Sequence, residues 1–281
     1  MKVRFLGVRG SVPTPGSSTV RYGGNTVCTD VRLADGTVLI LDAGTGLREL
    51  GQILTKEAHT GDLHLLLTHL HWDHILGLPF FKPLWKKETT IKIHPLATEA
   101  QRLAASRRAL FDGIHFPVRA ADVPAQIDFV ANDDPVWTIG SARVSRIMLN
   151  HPGGAQGYRI DDSDGTSLAY LTDNELSPPG PAETSMDALA RFANGVDLLI
   201  HDAQYLSTDM PAKRGWGHST VDEVLALGQS AGTKHLVLFH HEPERDDDAL
   251  DALGVLAEQF FHERSSTTRG SVAREGWSVV L

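Results

Sequence analysis

A single cysteine, Cys28, excludes an internal disulfide and any zinc site built from cysteine thiolates. No apolar run approaches the ~18–20 residues that span a bilayer, and the opening MKVRFLGVRGSVPTPG lacks the apolar stretch of a signal peptide. The expectation is a cytoplasmic protein without membrane association. Cations are in the minority, with 26 Lys and Arg against 35 Asp and Glu and a net charge of −9. Extensive nucleic-acid binding, which relies on neutralising phosphates, is therefore not expected. A small basic group (Lys82, Lys86, Lys87, Lys92) can meet an anionic substrate or simply face solvent. Linkers rich in proline or serine and internal repeats are also missing, so residues 1–281 are expected to form one domain.

Short Val-, Ile- and Leu-rich runs bounded by Gly, Asp and Pro recur in both halves of the chain. They predict strands over 2–8, 26–33, 37–42, 62–68, 90–94, 143–148, 157–160, 167–171, 196–201 and 236–239. Asp35-Gly36 and Asp164-Gly165 supply the positive φ of tight turns between neighbouring strands. Apolar spacing near 3.6 residues predicts helices over 46–55, 97–111, 185–192, 221–231 and 247–262. Thr220 with Glu223 forms a capping-box start for the fourth. Strands interspersed with helices predict a layered α/β (α+β) fold. Residues 112–135 are Pro-, Asp- and Ala-rich and weakly periodic. They are expected to be irregular, either a loop over the site or a plain surface connection.

Histidine is abundant, with 14 residues, and its placement is informative. The apolar run Leu65-Leu66-Leu67 leads directly into Thr68-His69-Leu70-His71-Trp72-Asp73-His74. On a helix these side chains would point around most of the circumference; in a loop leaving a strand they can converge on one point. Imidazole and carboxylate suit zinc and similar divalent ions. Three more ligand-type residues follow apolar β runs in the same way: His151, Asp173 and His240. His241 competes with His240, and because neighbouring strand residues face opposite ways only one of them is expected to ligate. His240, directly after Val237-Leu238-Phe239, is preferred.

The motif His69-x-His71-x-Asp73-His74, followed in order by His151, Asp173 and His240, resembles the metallo-β-lactamase superfamily. The likeness extends over nearly the whole chain and includes the turn Leu41-Asp42-Ala43-Gly44-Thr45-Gly46. It implies a four-layer αββα sandwich holding two divalent metal ions, zinc ahead of manganese or iron. It also implies that His69, His71 and His151 hold one ion, Asp73, His74 and His240 the other, and that Asp173 bridges them. A homodimer is expected by analogy with the family alone.

The segment Gly215-Trp216-Gly217-His218-Ser219-Thr220 is similar to the ribonuclease Z and phosphodiesterase branch of that superfamily. This resemblance implies hydrolysis of a phosphodiester, with Asp73 and His218 as catalytic residues and His218 assisting at the phosphate. Asp202 is a candidate to orient His218, or a turn residue; Asp42 is a candidate to orient a metal-bound imidazole. Asn25 and Thr26 are candidates to line the site. Without a long Gly- and Lys-rich RNA-gripping arm, a small or cyclic phosphodiester is preferred as substrate over a tRNA 3′ end. Lactone or thioester hydrolysis on the same metals is the remaining alternative.

Overall fold

The computed structural model describes residues 1–95, 110–130 and 134–281. Two seven-stranded sheets face each other. The first has the order β14-β1-β2-β3-β4-β5-β6, with β1 Lys2–Gly7, β2 Cys28–Arg32, β3 Val38–Leu41, β4 Leu63–Leu66, β5 Thr90–His94, β6 Gln126–Phe129 and β14 Ser278–Val280. The second has the order β13-β12-β11-β10-β9-β8-β7, with β7 Val136–Ile139, β8 Ala142–Leu149, β9 Ala155–Asp162, β10 Ser167–Leu171, β11 Leu198–Asp202, β12 His235–Phe239 and β13 Arg269–Val272. Each sheet is antiparallel on one side and parallel on the other. The change falls at β3 in the first sheet and at β10 in the second.

Side-chain alternation along the central strands builds three apolar layers from the same short runs. Leu39 and Leu41 of β3 point between the sheets, where they join Val237 and Phe239 of β12 and Tyr158 of β9. Val38 and Ile40 point outward into a second cluster with Leu47, Leu50 and Leu54 of helix α1, Leu47–Lys56. Leu236 and Leu238 of β12 point to the opposite outside. There they meet Leu189 of α3 (Met186–Phe192), Val224 of α4 (Val221–Ala231) and Leu250 of α5 (Asp247–Glu263). The short α2 is Trp72–Ile75. The order is helix, sheet, sheet, helices, as the family resemblance implies.

Some expectations change. The helix expected over 97–111 falls almost wholly outside the described residues. The stretch 112–135 is not irregular throughout: Gln126–Phe129 forms β6, paired in parallel with β5 at the sheet edge. Phe116 packs on Trp85 and Phe80, with ring centroids 5.9 and 5.8 Å apart. This part of the stretch therefore covers the outer core around α1. β7, β13 and β14 are also additions to the expected strands.

The strand ends position the site. β3, β4, β10, β11 and β12 all finish at one end of the sandwich. Leu41 pairs with Leu66, Leu171 with His201, and Asp202 with Phe239. Loops leaving the carboxyl ends of parallel strands converge there, the usual ligand position in open α/β sheets. β8, antiparallel to β9 and so running in the same direction as β10, brings His151 to the same place, two residues after Leu149.

Candidate metal centre

Seven side chains expected from the sequence meet at this end. Ligand atoms of His69, His71 and His151 lie within 4.8 Å of one another, and so do those of Asp73, His74, Asp173 and His240. Asp173 faces both groups. Its Oδ1 is 3.7 Å from His69 Nε2 and 3.9 Å from His151 Nε2. Its Oδ2 is 3.1 Å from His74 Nε2 and 3.2 Å from His240 Nε2. Asp73 Oδ2 approaches His74 and His240 at 3.3 and 3.2 Å and accepts a hydrogen bond from the Ser11 N–H at 2.8 Å.

Three of the imidazoles are held through Nδ1, which turns Nε2 toward the cluster, the arrangement that orients metal-binding histidines. His151 Nδ1 donates to the Gly217 carbonyl at 3.0 Å, and His240 Nδ1 to Gln204 Oε1 at 2.9 Å. His74 Nδ1 lies 3.0 Å from Asp42 Oδ2. Asp42 is itself fixed by Thr68 N–H (2.8 Å), Thr68 Oγ1 and Tyr170 OH, the last two at 3.0 Å. The backbone is strained at the same points. Asp42, Asp173 and His240, none of them glycine, have φ of 61°, 59° and 58°, a conformation that costs energy and gathers at functional sites.

The donor set fits divalent cations. The Nε2 atoms of His69 and His74 are buried and, among the described residues, accept or donate no hydrogen bond, an arrangement that is costly unless something else satisfies them. In the protein alone, burial pulls the His240 imidazole down, but Asp173, Asp73 and Asp202 overcome this and hold it up at about 9. Burial is likewise outweighed at His74, which Asp173, Asp73 and Asp42 keep above its ordinary value. His69 is held below the usual range by burial and by the neighbouring His74. The raised values reflect the negative field of these carboxylates, which bound cations would neutralise.

His218 stands beside both groups. Its Nδ1 is 2.6 Å from Asp202 Oδ2, and its ring stacks on His240 with centroids 4.9 Å apart. Asp202 is fully buried and also accepts from the N–H groups of Gln204 and Asn174. It thus holds both the His218 ring and the turn that follows β11. His241 points away, with Nε2 bonded to the Ala273 carbonyl at 2.8 Å. Asn25 and Thr26 do not join the cluster. Asn25 bonds to Glu275 and Thr45, and Thr26 bonds to Thr45.

Two residues that shape the site were not singled out from the sequence. Glu175 accepts from Gly215 N–H (2.9 Å) and Gly217 N–H (3.0 Å), fixing the loop that carries His218. Gln204 holds His240 and bonds Glu242 at 2.6 Å. The signal available was their position in polar stretches at the carboxyl ends of β10 and β11, in Thr172-Asp173-Asn174-Glu175 and His201-Asp202-Ala203-Gln204.

A sequence model described as the Beta-lactamase superfamily domain matches residues 37–241. A ribonuclease Z of Haloarcula marismortui is 25% identical, over 94% of this chain and 96% of its own length. The metallo-β-lactamase fold protein YhfI of Bacillus subtilis superposes with a TM-score of 0.71 at 19% identity, covering 99% of this chain and 98% of its own. A diphosphatase of the PhnP family superposes with a TM-score of 0.70, also at 19% identity, covering 100% and 97%.

Proposed function

The chain belongs to the β-lactamase superfamily, and we propose that it is a metal-dependent hydrolase with a dinuclear site that cleaves a small or cyclic phosphodiester. His69, His71 and His151 would hold one divalent ion, Asp73, His74 and His240 the other, with Asp173 shared; zinc suits this nitrogen and oxygen set. When bound, the pair of ions supplies a hydroxide at neutral pH and neutralises charge on phosphoryl oxygens. The chain's own groups do the rest. Asp73, anchored by the Ser11 N–H, is placed to take or orient the proton of the attacking water. Asp202 fixes Nδ1 of His218 and leaves Nε2 free; in the imidazolium form, with a proton on each ring nitrogen, Nε2 can donate to a phosphoryl oxygen or protonate the leaving alkoxide.

The observation that carries the reading is the buried His218–Asp202 pair set against both ligand groups. The likeness to the Haloarcula marismortui ribonuclease Z favours a second reading, cleavage of an RNA 3′ end. The net charge of −9 weighs against it.

Metal analysis of the purified protein, with turnover of an aryl phosphodiester, a precursor tRNA, a lactone and a thioester, tests the proposal. About two zinc equivalents and phosphodiester turnover that falls in His218→Ala with metal retained are expected. Turnover of the acyl substrates alone would overturn it.

A further inference from the structure

Beside His151 lies a cleft of about 450 Å³, the size of a small-ligand site. Met148 and Pro152 line it from β8 and the turn that follows, Pro178, Pro179 and Pro181 from a second loop, and Gly215 from the His218 loop. The loops pack closely: a Cβ on Gly215 would stand 3.3 Å from Pro179 Cγ, and one on Gly217 would clash with Pro152 and the His151 ring. His151 itself lines the cleft, so the cleft borders one of the two ligand groups.

Its polar lining is already engaged. Glu175 is tied to Gly215 N–H and Gly217 N–H, and Asn150 to the Glu175 and Thr184 carbonyls and the Thr184 N–H. Among the described lining residues there is no lysine or arginine, and the exposed Glu183 stands among them. What remains is pyrrolidine and thioether surface, which disfavours a second phosphate and favours an uncharged group. Trp216, next to Gly215, is 57% exposed. Its two glycine neighbours take φ of 84° and 90°, and Lys213 Nζ sits 4.5 Å from its ring centroid. A large aromatic, one residue from the cleft-lining Gly215, is thus held exposed on an anchored loop.

We propose that this cleft receives an uncharged, flat organic group of the phosphodiester, an aryl ring or a nucleobase, with Trp216 stacking on it. The assignment deepens the phosphodiesterase reading above and rests on it for the position of the phosphate. Aromatic stacking and burial of ring surface give the preference its source.

Calorimetric titration with phenyl phosphate and methyl phosphate tests it, with turnover of bis(p-nitrophenyl) phosphate measured alongside. Wild type should bind phenyl phosphate roughly tenfold more tightly than methyl phosphate, and Trp216→Ala should cut that ratio by about fivefold. Trp216→Phe should retain most of it. Met148→Ala, on β8 and outside the loop, should also lower it. Equal binding of the two probes by wild type, or an unchanged ratio in both alanine variants, would overturn the subsite. A phenyl preference in binding without any diester turnover would uphold the subsite and instead count against the proposed reaction.

Discussion

Nδ1 of His218 and Oδ2 of Asp202 are 2.6 Å apart in a buried setting, sixteen residues apart in sequence and brought together by β11 and the turn before α4. A carboxylate so placed fixes which ring nitrogen carries a proton. His218→Ala should lower kcat on an aryl phosphodiester by ~10²–10³. Asp202→Asn should lower it less, and both variants should keep their metal. Steady-state kinetics with metal analysis read this, and unchanged kcat in His218→Ala would remove the residue from the chemistry.

Asp42 serves His74, Thr68 and Tyr170 at once. Asp42→Ala leaves four buried donors on these three residues without their acceptor. Zinc affinity should fall ~10–100-fold, and unfolding free energy should drop by ~2–3 kcal/mol. Chelator competition and urea unfolding give the two values. Wild-type affinity in the variant would mean that His74 needs no orienting partner.

His240, held up at about 9 in the protein alone, is protonated at pH 7.5. A cation must displace that proton, so zinc binding should release protons and strengthen as pH rises toward 9. Calorimetry in buffers of differing ionisation enthalpy reports the number released. A value of zero at pH 7.5 would contradict the arrangement. Chelator treatment should also lower the melting temperature, with zinc restoring it.

His235 lies far from the cluster and is pushed down to about 4, by burial and then by Arg269. The Arg269 guanidinium donates to its Nδ1, and its Nε2 meets Ser271 Oγ. The folded pKa lies below the unfolded value near 6.5, so the unfolded chain binds more protons between the two. This group's stabilisation is therefore complete above about pH 6.5 and lost as pH falls toward 4. In metal-free protein, His235→Gln should flatten the decline in melting temperature between pH 7 and pH 5. A slope identical to wild type would assign the acid sensitivity elsewhere.

The ten strands read from the sequence are those buried on both faces or with clear alternation, such as β3, β10 and β12. The strands it did not reveal are short and lie toward the sheet edges. Gln126–Phe129 and Val136–Ile139 carry mostly half-exposed side chains, and their strand character comes from pairing with β5 and β8 rather than from an apolar run. The start of α4 was legible because Thr220 and Glu223 satisfy each other locally.

Residue order alone determined the ligand candidates: apolar runs that end in histidine or aspartate mark strand ends, whatever the strands later pair with. Strands interspersed with helices also marked a layered α/β fold, while the four-layer sandwich was implied by the family resemblance. Only the tertiary structure decided that His240 and not His241 turns inward, that Asp173 divides its two oxygens between two histidine groups, and that Glu175 and Gln204 anchor the site. Those are matters of distance between loops far apart in the chain, set by the register of parallel strands and by left-handed backbone at Asp42, Asp173 and His240, which no local pattern encodes.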